Sequence, residues 1–315
     1  MTTSPQESTP STPAESAPAP TATQRSPRLT VGVISAGAVG TALGEAFELA
    51  GHTVVAAVAR SAGSQARLAA RLPNARAMSA REVARASELI IIAVPDPAIP
   101  EVVADIAPVV GPGRIVLHTA GSLGRAVLDP IALTGALTIA AHPAMTFAGL
   151  SDDAHRLNGC PWGVTVGDEL SKTVAELLIG EIHGRVVVVP EKNRTLYHAA
   201  MAHGSNHLGA IVTDAVELLA TALETGGAGD YTSDTHRQQA AALLETLLNA
   251  SLQNTLRWGS RGLTGPVVRD DVGTVDKHLG VISAELPGAV APYRTMARRI
   301  AELRGATEVL KRLSD

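Results

Sequence analysis

A single cysteine, Cys160, serves a chain of 315 residues, so an internal disulfide and a cysteine-built metal cluster are both excluded. It reads as buried filler in a reducing, cytoplasmic setting. No apolar run approaches the roughly 20 residues that a membrane span needs. Residues 1–28 lack the apolar stretch of a secretion signal. They form a Pro/Ser/Thr/Ala tail with too little apolar surface to offset the entropy of ordering, and disorder is expected there. A basic excess is also missing: 26 Lys and Arg stand against 30 Asp and Glu, a net charge of −4 that offers no footprint for nucleic acid. Metal-ligand spacings of histidine and carboxylate are absent, so no catalytic metal is expected.

What remains is a chain that is 45% hydrophobic and long enough to bury a substantial core in two domains. Residues 31–44, VGVISAGAVGTALG, run from an apolar strand through a glycine-punctuated turn into a small-residue helix, the local design that holds a dinucleotide pyrophosphate. Gly37 lets the backbone approach the phosphates, and Gly40 lets the helix pack close on its strand. The helix N-terminus offers unpaired N–H groups to the anion. Ser35 stands where the tight turn usually has glycine; a residue at negative φ is expected to make the turn, its hydroxyl adding a phosphate contact. Taken alone, the pattern also fits any strand-turn-helix built of small residues.

Further apolar runs at residues 53–59, 88–95, 114–119 and 137–141 alternate with helical stretches, which predicts a doubly wound parallel sheet. These runs end in hydroxyl, histidine or glycine residues, where such a sheet places its ligand crevice. A helix at 169–179 and a strand at 185–190 finish this part. Helices then take over at 195–219, 238–256 and 292–312, with a Gly/Asp/Thr/Ser surface loop at 225–235. At the tip of the second strand, where a carboxylate would bind ribose hydroxyls, the chain offers Arg60 and Ser61, with no Asp or Glu between Glu48 and Glu82. Guanidinium and hydroxyl donors suit a 2′-phosphate that a carboxylate would repel, which favours NADP over NAD. An ordinary solvated arginine is the competing account.

Three stretches carry unusual polar chemistry: His142-Pro143 after a strand, residues 197–207 (YHAAMAHGSNH) within an apolar helix, and residues 264–271 (TGPVVRDD), followed by Thr274 and His278. On α-helical geometry His203 and Asn206 share a face and His198 lies on a neighbouring one. Each stretch has a structural account, a packed histidine in one case and in another a capped loop with Asp271 opening a helix and Arg269 on its surface. Each also has a chemical one. Imidazole acts as acid or base near neutral pH, Asn206 orients a carbonyl oxygen, and Arg269 pairs with a substrate carboxylate. The candidate catalytic set is His203, Asn206 and Arg269, with His198 and His142 beside them.

Together ISAGAVGTAL, IIIAVPDPAI, HTAGSLG, AHPAMTF, LYHAAMAHGSNHL and TGPVVRDDVGTVDKHL resemble the Rossmann-like proteins carrying a DUF2520 C-terminal domain, from about Leu29 to the end. The resemblance implies kinship with ketopantoate reductase, pyrroline-5-carboxylate reductase and 6-phosphogluconate dehydrogenase-like enzymes. It implies an α/β Rossmann-type domain over residues 29–189 and an all-helical 6-phosphogluconate dehydrogenase C-terminal-like domain over 190–315 that builds a homodimer, with the active cleft between them. Cofactor contacts would fall on the glycine turn (Ser35, Gly37, Val39, Gly40), on Arg60 and Ser61, and on Val94, Pro95 and Asp96.

The match has one departure. Many 2-hydroxy-acid enzymes of this clan place a lysine four residues before an asparagine, where it protonates the new alkoxide; here Ala202 holds that position relative to Asn206, and Lys192 does not fit. Either His203 or His198 moves the proton, or water does, or the chemistry is lost. Pyrroline-5-carboxylate reductases also lack that lysine and use a Gly-Ser turn, to which Gly204-Ser205 is similar. The expected function is NADPH-dependent reduction of a small carboxylate-bearing carbonyl, a ketopantoate-like 2-keto acid first and a cyclic imine second. The alternative is a non-catalytic NADP-binding sensor or assembly module.

Overall fold

The apolar runs of the first half form one sheet. In the computed structural model, which describes residues 28–224 and 233–314, the chain divides into two units, Met1–Lys192 and Asn193–Asp315. Residues 1–27 of the expected tail and 225–232 of the expected loop lie outside the described residues.

The first unit runs β1 (Thr30–Ile34), α1 (Ala38–Leu49), β2 (Thr53–Ala57), α2 (Ala62–Arg71), β3 (Arg76–Ala77), α3 (Ala80–Ala86), β4 (Leu89–Ile92), α4 (Ile99–Ile106), β5 (Ile115–His118), α5 (Asp129–Ala132), β6 (Leu137–Pro143), β7 (Pro161–Val166), α6 (Glu169–Glu181) and β8 (Arg185–Val188). Strand order is β3-β2-β1-β4-β5-β6-β7-β8. Successive side chains of a strand point to opposite faces. Val31 and Val33 of β1 therefore join a core with Leu43, Phe47 and Leu178 of α1 and α6, while Ile34 joins Val83, Val103 and Ile131 of α3, α4 and α5. Both faces are covered by helices, and β4, LIII, is buried throughout, as a doubly wound sheet requires.

The parallel order breaks at one place. β7 pairs antiparallel with β6, His142 opposite Gly163, and β8 runs parallel to β7. A parallel return needs a crossover to the far end of the sheet, usually a helix. Residues 144–160 hold only turns and two single-turn 3-10 helices, Ser151–Asp153 and His155–Leu157, so the chain re-enters at the end where it left.

The second unit is helical: α7 (Arg194–Ala202), a π-turn (His203–His207), α8 (Leu208–Leu223), α9 (Ser233–Trp258), α10 (Val272–Glu285), α11 (Val290–Arg304) and α12 (Thr307–Ser314). The helix expected over 195–219 is thus interrupted, and residues 233–235, expected in a loop, begin α9. The helix expected over 292–312 stops at Gly305, whose left-handed backbone (φ 73°) ends α11 and lets α12 start afresh. Val275, Ala297, Ala301, Val309 and Leu313 make the core of α10–α12.

Candidate functional site

At the C-terminal ends of β1, β2 and β4 lies a cavity of about 590 Å³. Six of the residues expected to touch a cofactor line it: Ser35, Gly37, Arg60, Ser61, Val94 and Pro95. Val39, Gly40 and Asp96 are not on its lining. Gly40 acts from behind the turn, because a Cβ there would stand 2.0 Å from the Ser35 carbonyl oxygen and 2.8 Å from Val33. Only glycine lets α1 sit this close to β1. Val39 packs against the core beneath α1. Asp96 accepts a hydrogen bond from the Ser122 hydroxyl, tying the loop after β4 to the loop after β5.

Ser35 departs from expectation. Its φ is +93°, the left-handed region that glycine adopts freely, so serine makes the turn in the strained conformation. A Cβ built on Gly37 would lie 3.4 Å from the Ser35 hydroxyl, so that hydroxyl stands over the start of α1. Gly37 caps α1 without a side-chain hydrogen bond, which leaves the first-turn N–H groups to an outside acceptor.

At the tip of β2 the Arg60 side chain is exposed and makes no ion pair or hydrogen bond among the described residues. Ser61 is otherwise engaged. Its hydroxyl accepts from the Ser64 N–H at 3.1 Å while the Ser64 hydroxyl accepts from the Ser61 N–H at 3.0 Å, a reciprocal cap on α2. What Ser61 brings to the cavity is the N-terminus of α2. Sequence reading missed Arg67, which also lines the cavity and donates to the Ala36 carbonyl at 3.1 Å. Its sequence signal was a place on the helix that leaves the β2 tip, two turns after Arg60. Val58, Ala80, Ala98 and Val102 give the same cavity an apolar wall.

A second missed residue is His118. Fully buried at the end of β5, it accepts from the Ala120 N–H at Nδ1 (3.2 Å), so Nε2 carries the hydrogen donated to the Gly124 carbonyl at 2.9 Å. It braces the HTAGSLG loop from within. Glu191 braces that loop from outside, accepting from the Arg125 N–H at 2.8 Å. Cys160 is buried, its thiol donating to the Pro161 carbonyl at 3.4 Å, and burial raises its pKa, the reverse of what a nucleophile needs.

In the helical unit His198, His203, Asn206 and Arg269 are all exposed, and His142 is half-buried on β6 of the sheet unit. His203 does not pair with Asn206. Its ring partner in the π-turn is one residue farther on, His203 Nδ1 meeting His207 Nδ1 at 2.8 Å. Arg269 lies in a turn whose two following carboxylates each cap a helix. Asp271 accepts from the Thr274 N–H at 3.0 Å to start α10, and the Thr274 hydroxyl and N–H hold its carboxyl below the usual range. Asp270, itself at φ +58°, accepts from the Glu308 and Val309 N–H groups at 3.1 and 2.8 Å to start α12. No hydrogen bond or ion pair among the described residues joins Arg269 to His203 or Asn206.

Two family models match the chain, a Rossmann-like domain over residues 13–143 and the domain of unknown function DUF2520 over residues 160–300. Over those residues the chain carries a Rossmann-like domain followed by a DUF2520 domain. No curated protein matches it. Among solved structures it is similar to a candidate NADP oxidoreductase from Bacteroides fragilis, at 20% identity and TM-score 0.70 over 87% of this chain and 98% of that one. A reductive aminase from Aspergillus terreus, with NADPH4, cyclohexanone and allyl amine bound, matches at 16% identity and TM-score 0.62, covering 90% of this chain and 99% of its own. The NADP-bound pyrroline carboxylate reductase of Plasmodium falciparum matches at 13% identity and TM-score 0.53, covering 88% and 98%. At such identities these likenesses establish a shared fold.

Proposed function

We propose that this protein is an NADPH-dependent oxidoreductase that reduces a small carbonyl or imine. The observation that carries the reading is the cavity at the strand ends, where an uncapped helix N-terminus and an unpaired arginine meet beside an apolar wall. These residues fit the adenosine half of NADP. The α1 N-terminus and the Ser35 hydroxyl suit the pyrophosphate, the apolar wall suits adenine, and Arg60, Arg67 and the α2 N-terminus suit the 2′-phosphate. Bound there, the nicotinamide would supply a hydride. A 2-keto acid and a cyclic imine are the two substrate classes; the reductive aminase and pyrroline carboxylate reductase among the fold neighbours support keeping the imine beside the keto acid.

His203, Asn206 and Arg269 are the groups we assign to substrate, His203 as proton donor, Asn206 as orienting group and Arg269 as carboxylate partner. The test is NADPH consumption by the purified full-length protein against cyclic imines and 2-keto acids. His203→Ala and Asn206→Ala are expected to lower turnover with NADPH affinity unchanged within a few-fold, and Arg269→Ala to raise KM. Binding of NADPH with no turnover of either class would favour the non-catalytic reading.

A second copy of the chain completes our account of the helical unit. Of the α9 side chains described only Ala240 is buried, while Leu243, Leu247 and Leu256 are 60%, 64% and 73% exposed, and Leu196 of α7 is 72% exposed. Soluble monomers rarely leave so many large apolar side chains of one helix exposed. The small residues Ala199, Ala200, Gly204, Gly209 and Ala210 lie exposed nearby in sequence and permit close helix approach. Light scattering is expected to give about twice the 32.3 kDa chain mass. A concentration-independent monomer would contradict it.

A further inference from the structure

Helices α8 and α11 bring two ionisable side chains, Asp214 and Tyr293, to one small pocket of the helical unit, and His278 of α10 stands behind the second; none of them is used by the reading above. The pocket measures about 150 Å³, room for about five groups at the ~30 Å³ of a liquid water. Its walls are apolar, Ile211, Ala215 and Leu218 on one side and Pro292 and Met296 on the other; Asp214 and Tyr293 are its only polar side chains, and no Lys or Arg lines it. Asp214 is half-buried and makes no hydrogen bond or ion pair among the described residues. Arg237 of the packed helix α9 is held at 2.7 Å by Glu217 and at 3.5 Å by Asp234. The Tyr293 hydroxyl stands 2.7 Å from His278 Nδ1, with the two rings edge to face.

A half-buried carboxylate beside apolar walls, with no counter-ion of its own, is a ready partner for a cation that carries a hydrocarbon body. We propose that this pocket binds a small organic ammonium ion, donating one N–H to Asp214 and another to the Tyr293 oxygen while its hydrocarbon body lies on the Ile211–Met296 walls. Tyr293 donates its own hydrogen to His278 Nδ1, which turns its lone pairs toward the ligand; burial raises the phenol pKa, so the hydroxyl stays protonated at neutral pH. An anion would meet Asp214 with no compensating cation, and a neutral isostere would leave the carboxylate unpaired. His278 is a positioning residue. The inference does not depend on the dinucleotide site, and NADPH affinity reads that site separately.

The experiment is calorimetric titration of the full-length protein with cyclopentylammonium, set against cyclopentanol and cyclopentanecarboxylate. The ammonium is expected to bind saturably, with the alcohol and the carboxylate weaker by about tenfold or more, the loss of one charge-assisted contact. Asp214→Asn should remove that preference and Tyr293→Phe should reduce it, both with NADPH binding unchanged. Because Asp214 has no internal partner, the asparagine variant should melt no lower than the parent. Equal binding of the alcohol, an undiminished preference in Asp214→Asn, or no saturable binding at millimolar ammonium would overturn the proposal.

Discussion

Arg60→Ala is expected to weaken NADPH binding roughly ten- to a hundredfold while leaving NADH nearly untouched, so that the two cofactors bind alike. The magnitude is that of a hydrogen-bonded charge pair, about 1.5–3 kcal/mol, at about 1.4 kcal/mol per tenfold. Arg60 is exposed and engages no other side chain, so its removal orphans nothing and stability should move by less than about 0.5 kcal/mol. Arg67→Ala should behave differently. It loses the bond to the Ala36 carbonyl as well, which loosens the turn under the pyrophosphate, so both cofactors should weaken. Fluorescence titration of each variant with both dinucleotides separates the two roles. An NADPH preference intact in Arg60→Ala would remove Arg60 from the site.

Gly40→Ala should be the most damaging single methyl in the sheet unit. The added Cβ would fall 2.0 Å from the Ser35 carbonyl, a backbone atom that cannot step aside without moving the turn. Overpacking of this kind costs about 1–3 kcal/mol, more than the ~1 kcal/mol that alanine gains over glycine in a helix. Because the turn and the α1 N-terminus shift together, NADPH and NADH should both bind poorly. Gly44→Ala, four residues along the same helix, is the control: its Cβ would stand 2.7 Å from Leu72 Cδ1, a side-chain end rather than backbone. Thermal melting should show a large loss for Gly40→Ala and a small one for Gly44→Ala. Equal melting points would contradict the packing argument.

Much of the sheet unit was legible because its signals are local. Continuous apolar runs such as LIII at β4 can only be buried strands or helices, and their alternation with helical stretches fixes a wound sheet. The reversal at β7 was not legible. It depends on which end of the sheet the chain re-enters, a non-local property of a turn-filled segment. Ser35 illustrates a different limit: nothing in the letter S reveals a positive φ, and the turn, anchored by the Ala36 N–H to the Val58 carbonyl at 2.8 Å, imposes one. The π-turn at His203–His207 escaped for a similar reason, since helical spacing on paper assumes a constant pitch. Asp271 was legible as a helix opener, the structural account of its turn, because its cap is local. Asp270 was not, because the helix it caps begins at Thr307.

The central claim is that the cavity beside Arg60 takes the phosphorylated adenosine end of NADP. Competition against bound NADPH in the full-length protein, with adenosine 2′,5′-bisphosphate and with 5′-AMP, tests it most directly. Displacement by the bisphosphate at concentrations about tenfold or more below those of 5′-AMP is the predicted result, from one additional charge-assisted contact. Equal displacement by the two nucleotides, or no saturable NADPH binding at all, would contradict it.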